Sequence, residues 1–451
     1  MRDNTKVLSS FISNLKFNDL PEKTVENTRL FMIDFIAAAM AGYKVNKTFN
    51  RAVEEYVFGQ DCGKNECEVL FSDKKLPCGK AAFLNACYAH GADMDDGNRK
   101  AMGHVGAHVF PTVLALAQSL GKSEKDVVVA VNVGYEVYCR VAAAAQPGLV
   151  HRGFHSTGTA GVIACAAAAA KIMNLSEDEI YNAMAISVTM ASGLMIIAES
   201  GQSIKPLNPA RAAESGILAA TLAKEGVKGG ITPLESKKGW FHAMSDSIDE
   251  DMITDGLGKI FTIDECYIKP YPSCRHTHCG MQAALELKKE NNLDADDIEK
   301  VNMYIYENAI KIAGQIKVPV TADDTKFSIH YATACIIAKG SFTLNDLKCA
   351  GIDKKVLETI DKIELITDEA MENRDKGIRG CRVEIILKNG TKLERTVLIP
   401  KGDPQNAFTV SDMENKLSQC AKGILDVNEQ KHLINRILNF AKENKKFERI
   451  M

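Results

Sequence analysis

The stretch at residues 161–170 reads GVIACAAAAA, and it decides the fold class that the sequence predicts. A run of this length without a charged side chain or a proline is typical of a buried helix. Its alanines have short side chains, which let neighbouring helices pack closely around it. Residues 142–145, which read AAAA, have the same character. We therefore predict a mainly α protein whose first part is a large bundle of closely packed helices.

The same helical pattern extends outward from this stretch, from Leu20 to about Lys259. Ser123 and Ser176 are each followed three residues later by a carboxylate, a spacing typical of a capping box at the start of a helix. Gly42 is predicted to end the first long helix, because glycine is common at helix C-termini.

The pattern changes after Tyr267. Residues 301–306 alternate apolar and polar side chains, which predicts a strand. Residues 381–398 contain two strand-like runs on either side of Asn389–Gly390, a dipeptide typical of a hairpin turn. This part of the chain therefore differs in fold class from the first part.

Helices are also predicted in the later part of the chain, at residues 326–338 and 344–363, and helical patterns return after Ser411. The sequence thus divides into three segments. They are an all-helical domain at residues 1–266, a smaller α+β domain at residues 267–405, and C-terminal helices at residues 406–451 that return to the helical domain.

The composition excludes several classes of protein. A formal net charge of −3 provides no basic field for a phosphate backbone, so we do not expect nucleic acid as a partner. The N-terminus lacks the apolar core of a signal peptide, and the longest apolar stretches are too short for a membrane span. We therefore expect neither export nor a membrane partner. The thirteen cysteines include no CxxC pair, as expected of reduced thiols in a cytoplasmic protein.

Polar and ionisable side chains concentrate in four short stretches, at residues 93–108, 151–161, 205–216 and 267–276. In the first stretch, Asp93, Asp95 and Asp96 are close enough to repel one another. At least one of them therefore needs a cation, a hydrogen-bond donor or a raised pKa. A solvated acidic helix end would satisfy the same pattern. An aspartate-rich metal site fits less well, because the spacing lacks the later glutamate of an EF-hand.

The other three stretches supply candidate bases and cations. Gly153 favours a turn that aims His155 into a cavity, although a lone histidine is often structural. Lys205 and Lys269 each precede a proline, which keeps the lysine near the end of an element, where its ammonium can reach a cleft. These lysines predict a cationic pocket for a ligand with two or three carboxylates, together with Arg140, Arg152 and Arg275.

One cluster of cysteine and histidine, at Cys274, His276, His278 and Cys279, has the residue types of a metal site. A tetrahedral zinc site usually draws its ligand pairs from two separated segments, whereas these four residues lie in one. We therefore predict no metal ligand in the chain.

The polar motifs follow one another in a specific order. They are Asp93-x-Asp95-Asp96, His104-x-Gly106-Ala107, Gly153-Phe154-His155, Lys205-Pro206-Leu207 with Ala212-Ala213, Lys269-Pro270-Tyr271-Pro272 with Arg275 and Thr277-His278, Phe327-Ser328, and Lys401-Gly402-Asp403-Pro404. This ordered series resembles the MmgE/PrpD family, which includes 2-methylcitrate dehydratase, cis-aconitate decarboxylase and iminodisuccinate epimerase. The resemblance extends over nearly the whole chain.

The resemblance implies a large all-helical domain with an inserted smaller α+β lid domain, a homodimer, and catalysis without a metal or an organic cofactor. It also implies five active-site residues, Asp93, His104, His155, Lys205 and Lys269, the last of them supplied by the start of the lid. Around these we predict six substrate-binding residues: Arg140, His151, Arg152, Tyr271, Arg275 and His276.

Three positions depart from the family pattern, so the resemblance predicts the class of chemistry and not one substrate. Gly97 stands where the dehydratases and decarboxylases usually have a threonine. Val105 stands where a proline is common, and Ala210 where a glycine is usual.

The predicted function is proton abstraction next to a carboxylate of a small polycarboxylic acid, by a lyase that dehydrates a 2-methylcitrate-like hydroxy acid. A hydrogen on such a carbon is a very weak acid, so the enzyme needs a positioned base and cations that stabilise enolate-like charge. Three alternatives stay open. They are decarboxylation of a cis-aconitate-like acid, epimerisation of an iminodisuccinate-like amino acid, and non-catalytic binding of di- or tricarboxylates.

Overall fold

The computed structural model of the protein describes residues 3–60, 63–199, 203–373 and 377–451. Helices dominate, which confirms the mainly α prediction. In chain order the helices are α1 (Asn4–Asn14), α2 (Glu22–Val45), α3 (Lys47–Phe58), α4 (Cys78–His90), α5 (Gly106–Leu120), α6 (Glu124–Ala144), α7 (Gly148–His151), α8 (Ser156–Thr159), α9 (Gly161–Ile172), α10 (Glu177–Ser187), α11 (Ile196–Glu199), α12 (Leu207–Lys224), α13 (Trp240–Met244), α14 (Asp251–Thr254), α15 (His278–Asn291), α16 (Glu307–Ala313), α17 (Ile329–Lys339), α18 (Lys354–Asp361), α19 (Val410–Ala421) and α20 (Val427–Leu438). The strands are β1 (Cys67–Glu68), β2 (Lys75–Leu76), β3 (Gly97–Asn98), β4 (Cys266–Tyr267), β5 (Ile298–Ile305), β6 (Ile363–Thr367), β7 (Glu372–Asn373), β8 (Ile378–Arg379), β9 (Cys381–Leu387) and β10 (Lys392–Val397).

Helix α9 contains the alanine-rich stretch and belongs to the first apolar cluster of the protein. All of its residues except Lys171 are buried, and it packs against α5, α6 and α12. Small residues make this packing close, since a Cβ atom at Gly216 of α12 would lie 2.4 Å from the Cys165 Cβ atom. The predicted bundle of closely packed helices is present.

Helix α6 is the one helix in the described part of the chain whose length and apolarity would allow it to cross a membrane. Nearly all of it is buried inside the protein, and it packs against α5 and α9. These are the surroundings of a core helix. It begins with the predicted capping box, in which Ser123 accepts from the backbone N–H of Asp126. The predicted capping box at Ser176 is also confirmed.

Helix α2 continues through Gly42 to Val45, so the prediction that Gly42 ends this helix is wrong. A Cβ atom at Gly42 would lie 1.9 Å from the Tyr88 carbonyl oxygen and 2.9 Å from the Gly91 nitrogen. The glycine is needed because α2 crosses the end of α4 at a distance that leaves no room for a side chain.

A four-stranded sheet in the order β10-β9-β5-β6 lies in the second part of the chain. β5 pairs in parallel with β6 and antiparallel with β9, and β9 pairs antiparallel with β10. The hairpin predicted around Asn389–Gly390 is therefore confirmed, as is the strand predicted at residues 301–306. Helices α15 and α17 pack on each other and α15 packs on β9 and β10, around a second apolar cluster.

The helix predicted at residues 344–363 is present only in part. Helix α18 covers Lys354–Asp361, and β6 begins at Ile363. Gly351 has a φ of +68°, a left-handed conformation that interrupts a helix. The chain therefore turns before α18 begins.

Helices α19 and α20 return to the first apolar cluster, where both contact α2. Lys416 of α19 is buried and donates to the Asp34 carboxylate of α2. Its ammonium also donates to the Met94 carbonyl oxygen at 2.8 Å. This contact fastens the C-terminal segment to the loop that follows α4.

Two short strands bring distant polar stretches together. β3 pairs with β4 so that Gly97 lies opposite Tyr267 and Asn98 opposite Cys266. Lys269 thereby comes to lie beside Asp93, although the two residues are 176 positions apart in the chain.

Candidate active site

The candidate site is built around Asp93, in the loop between α4 and α5. Asp93 is buried and has a positive φ of 52°. Its Oδ1 atom lies 2.6 Å from Lys205 Nζ, 3.1 Å from Lys269 Nζ and 3.6 Å from His104 Nε2. A left-handed backbone in a residue other than glycine costs free energy, and such strain is concentrated at functional sites.

Each lysine reaches Asp93 from the end of an element, as its position before a proline predicts. Lys205 lies just ahead of α12, and its side chain is 15% exposed. Lys269 follows β4, is 1% exposed, and also donates to the Asp93 carbonyl oxygen at 2.8 Å. One ammonium is therefore partly open to solvent and the other is enclosed.

The charge of Asp93 is shared by these two cations. Burial raises the pKa of the Asp93 carboxyl, but the ammoniums of Lys205 and Lys269 outweigh burial and hold this pKa well below its usual range. Asp93 is therefore ionised at neutral pH. A site that pairs one carboxylate with two ammoniums has the electrostatics needed to hold a ligand carboxylate as well.

His104 lies beside this ion cluster with its ring held in one tautomer. Its Nδ1 atom is 2.9 Å from the Asp96 carbonyl oxygen and 3.2 Å from Asp95 Oδ2. Both oxygens accept, so Nδ1 carries the hydrogen and Nε2 presents a lone pair toward Asp93. Burial lowers the pKa of His104, Asp95 opposes this shift, and Lys205 adds to it. The ring is therefore a neutral base at neutral pH.

His155 has the opposite tautomer. It follows the turn predicted at Gly153, which has a φ of +85°, and directly precedes α8. The Asn208 side-chain nitrogen donates to His155 Nδ1 at 2.8 Å, so Nε2 carries the ring hydrogen. Burial, and then the charge of Lys205, lower the pKa of His155 well below its usual value. The centroids of the His104 and His155 rings are 6.4 Å apart, so one site contains a neutral acceptor and a neutral donor.

The structure thus brings together all five residues predicted as active-site residues, while their roles in catalysis stay predictions. Two further residues in the site were not among the predictions. His90, the last residue of α4, contacts Asp95 Oδ2 through Nδ1 at 2.8 Å, and its ring centroid lies 4.6 Å from that of His104. Lys326 donates to the Gly91 carbonyl oxygen at 3.0 Å. The sequence marks His90 only by its position, because it is the last residue of the helix that precedes the aspartates.

The spacing of four side chains in the site would also suit a metal ion. Ligand atoms of His90, Asp93, Asp95 and His104 lie within 4.8 Å of one another. The two ammoniums that contact Asp93 would repel a cation at this position. The donor set therefore suits a network of ion pairs and hydrogen bonds better than a metal site.

A second polar cluster surrounds the buried carboxylate of Asp403. Arg275 Nη2 lies 3.1 Å and Arg99 Nε 3.0 Å from its two oxygens. Arg275 Nη1 also lies 2.8 Å from His278 Nδ1, so this histidine faces a cation. Over the described ranges, the stretch from Cys274 to Cys279 forms no group of three or more metal ligands.

Two of the other predicted substrate contacts lie near Arg275. His276 Nδ1 is hydrogen-bonded to the Tyr306 hydroxyl. Tyr271 packs edge-on against His278, with ring centroids 5.4 Å apart. Their contacts with substrate stay predictions.

The structure does not bring the remaining three predicted substrate contacts into the cluster. Arg140 is buried, and its guanidinium contacts Glu136 and the carbonyl oxygens of Ile253, Asp255 and Ile260. These partners give Arg140 a place in the packing of α6. His151 and Arg152 are exposed at the end of α7.

Comparison with known proteins gives matches over most of the chain. Family models described as the MmgE/PrpD N-terminal domain and the MmgE/PrpD C-terminal domain match residues 6–251 and 271–441. The cis-aconitate decarboxylase-like protein oryM of Aspergillus oryzae is 25% identical over 462 residues, which cover 96% of this chain and 94% of that protein. The cis-aconitate decarboxylase of Homo sapiens is 26% identical over 457 residues, covering 96% and 91%. The cis-aconitate decarboxylase of Aspergillus terreus is 25% identical over 425 residues, covering 88% and 85%.

Proposed function

Because this chain belongs to the MmgE/PrpD family, we propose that it is a lyase that removes a proton next to a carboxylate of a small polycarboxylic acid. The observation that carries the proposal is the pair of buried neutral histidines of opposite tautomer, His104 and His155, beside two lysines. A base, an acid and cations for the developing charge are the groups that such a reaction needs.

The lysines bind and polarise the substrate. In the free protein their ammoniums share the Asp93 carboxylate. A substrate carboxylate beside Lys205 and Lys269 gains the same attraction. As the neighbouring carbon loses its proton, negative charge moves onto the carboxylate oxygens, where the ammoniums stabilise it more strongly than in the ground state.

The histidines move the protons. His104 Nε2 takes the hydrogen from the carbon, and the electron pair of the broken C–H bond forms a carbon–carbon double bond. The C–O bond to the neighbouring hydroxyl breaks, and His155 Nε2–H supplies the proton with which this group leaves as water. Dehydration of a 2-methylcitrate-like hydroxy acid therefore uses one acceptor and one donor, the two states found in these rings.

Decarboxylation is the second candidate, and the names of the relatives favour it. Three proteins that match 88% to 96% of this chain are named as cis-aconitate decarboxylases or as similar to one. In that reaction the electron pair of the broken C–C bond stays on carbon after CO₂ leaves, and His155 Nε2–H can protonate it. Epimerisation of an iminodisuccinate-like acid would instead return a proton to the opposite face of the carbon.

We also propose that residues 267–405 act as a lid. Lys269 and Arg275 stand at the start of this segment, and polar contacts join it to the first part of the chain: Lys326 to the Gly91 carbonyl and Asp403 to Arg99. Domains joined by a partly polar interface are expected to move relative to each other unless the interface is large and hydrophobic. A ligand such as citrate should then slow amide hydrogen exchange in residues 267–280, and unchanged exchange in a ligand-saturated sample would contradict the lid.

We also propose, on the resemblance, a homodimer that needs no cofactor and, on the unpaired cysteine spacing, a location in the cytoplasm. A mass of 49.2 kDa in sedimentation equilibrium, that of one chain, would contradict the dimer.

The reaction is tested by incubating the protein with 2-methylcitrate, citrate, cis-aconitate and iminodisuccinate in deuterated water. Nuclear magnetic resonance then follows the products and the deuterium that they carry. An unsaturated acid formed from a hydroxy acid supports dehydration, and CO₂ release with deuterium on the product carbon supports decarboxylation. Inverted configuration supports an epimerase. Binding without exchange or product with any of these acids would contradict the proposed function.

A further inference from the structure

Tyr267 faces the candidate site from strand β4. Its neighbours Cys266 and Ile268 belong to the first apolar cluster, whereas Tyr267 is 7% exposed and belongs to neither apolar cluster. β4 pairs with β3, which directly follows the aspartate loop at residues 93–96, so Tyr267 lies beside this loop.

The position of the phenol depends on Gly97, its partner across the β3–β4 pair. A Cβ atom at Gly97 would lie 2.5 Å from the Tyr267 hydroxyl oxygen and 2.7 Å from its Cζ atom. The phenol thus occupies the space that a side chain at position 97 would fill. Because this position follows Asp93 by four residues, the hydroxyl lies at the edge of the aspartate loop.

Two arginines fix the ring and surround it with positive charge. The guanidinium carbon of Arg275 lies 4.8 Å from the Tyr267 ring centroid, and that of Arg99 lies 6.0 Å from it. Among the residues that the structure describes, both guanidiniums contact one carboxylate, that of Asp403. This part of the site can therefore attract an additional anionic group.

The Tyr267 hydroxyl is protonated and has no hydrogen-bond partner within the residues that the structure describes. Burial raises its pKa, Arg275 and Arg99 oppose this shift, and Asp93 adds to it. The hydroxyl oxygen is accessible to solvent, so it can exchange a hydrogen bond with water for one to a ligand oxygen.

We propose that the Tyr267 hydroxyl donates a hydrogen bond to a further carboxylate of the substrate, one that the two lysines do not hold. Tyr267 is then a specificity-determining residue that selects tricarboxylates over dicarboxylates, with Arg99 and Arg275 supplying the charge. This inference rests on the proposed function and names the substrate class of the same site.

The test compares Tyr267→Phe with wild type by isothermal titration calorimetry, using tricarballylate and glutarate as unreactive tri- and dicarboxylate probes. The phenylalanine keeps the ring beside Arg275 and removes only the hydroxyl. Tricarballylate should bind about 10- to 100-fold more weakly, the usual worth of a hydrogen bond to a charged group, while the affinity for glutarate stays unchanged. A matched control is Tyr331→Phe, which removes a buried hydroxyl bonded to the Asp346 carbonyl oxygen, away from the site, and should change neither affinity.

Two results would overturn the inference and leave the proposed function in place: Tyr267→Phe binds both probes as wild type does, or it loses affinity for both equally. The second result would assign Tyr267 a structural role. Wild type that binds neither probe and converts none of the acids would overturn the proposed function together with this inference.

Discussion

Replacing Asp93 by asparagine tests the ion cluster from which the function is inferred. The change keeps the size of the side chain and removes its charge. In wild type the ammoniums of Lys205 and Lys269 lie 2.6 and 3.1 Å from a carboxylate oxygen of Asp93. In the variant both ammoniums lie beside a neutral amide. We expect the variant to be less stable than wild type, and to be stabilised by citrate more than wild type is.

The magnitude follows from the burial of the cluster. Removing one partner of a buried ion pair costs about 3 to 5 kcal/mol, because the remaining charge is left without compensation. With about 2.1 cal/mol/K of unfolding entropy per residue, a chain of 451 residues that unfolds as one unit shifts its midpoint by about 1 °C per kcal/mol. The Asp93→Asn variant should therefore melt about 3 to 5 °C below wild type.

Thermal unfolding with and without citrate measures both effects. A citrate carboxylate can replace the missing negative charge between the lysines, so the citrate-induced rise in the midpoint should be larger in the variant. Glu214→Gln is the matched control, because Glu214 also contacts two cations, Lys80 at 2.9 Å and Arg211 at 2.7 Å, but is 20% exposed. That substitution should cost about 1 kcal/mol or less and leave the citrate effect unchanged. An Asp93→Asn variant as stable as wild type, or one that citrate stabilises no more than wild type, would refute the reasoning.

Four further predictions follow from the same contacts. His155→Gln should slow the chemical step by about two to four orders of magnitude while substrate still binds, and Lys205→Ala should chiefly weaken binding, by about 2 to 5 kcal/mol. Steady-state kinetics and binding isotherms measure the two effects. If the lysine were the base, Lys205→Ala would bind substrate without turnover and His155→Gln would lose binding instead. Because the pKa values of His104 and His155 are lowered, both rings stay neutral as pH falls through the ordinary histidine value of about 6.5. The pH profile of kcat/KM should then decline only below that value, and a decline centred on it would contradict the neutral pair. EDTA should leave activity unchanged. A loss of turnover that one divalent ion restores would instead support a metal site at His90, Asp93, Asp95 and His104. Lys416→Met should lower the free energy of unfolding by about 3 to 5 kcal/mol in urea, because Asp34 stays buried without its cation. Adding Asp34→Asn should recover part of the loss. Equal stability of Lys416→Met and wild type would contradict this.

Local interactions explain which elements the sequence predicts correctly. The capping boxes at Ser123 and Ser176 depend on residues three positions apart, and the hairpin depends on the Asn389–Gly390 turn between two alternating runs. The alanine-rich stretch predicts close helix packing because short side chains let the backbones of neighbouring helices approach each other.

The two errors have different causes. Glycine is common at helix ends, but Gly42 lies where α2 crosses Tyr88 and Gly91 of another segment, and no pattern around Gly42 reports these partners. The error at residues 344–363 is local, because Gly351 takes a left-handed conformation and α18 begins only after it.

Some residues of the candidate site are recognisable in the sequence, and others are revealed only by the fold. Asp93, His155, Lys205 and Lys269 lie in polar stretches between apolar ones, so the sequence marks them even though only the fold brings them together. Lys326 lies in a short helical turn directly before the Phe327-Ser328 motif, but its contact with the Gly91 carbonyl arises from the fold alone. Arg140 is predicted as a substrate contact because it lies near polar motifs in the sequence, but its side chain is buried and bonded within the packing of α6.

Release of deuterium from a substrate labelled at the carbon next to a carboxylate is the most direct test of proton abstraction by His104. The measurement compares wild type with His104→Gln, which removes the lone pair at Nε2 that faces Asp93. Wild type should release the label into water as fast as it forms product. The variant should release it about two to four orders of magnitude more slowly while it still binds the acid. Product formation by wild type without release of the label, or release by His104→Gln at the wild-type rate, would contradict the account.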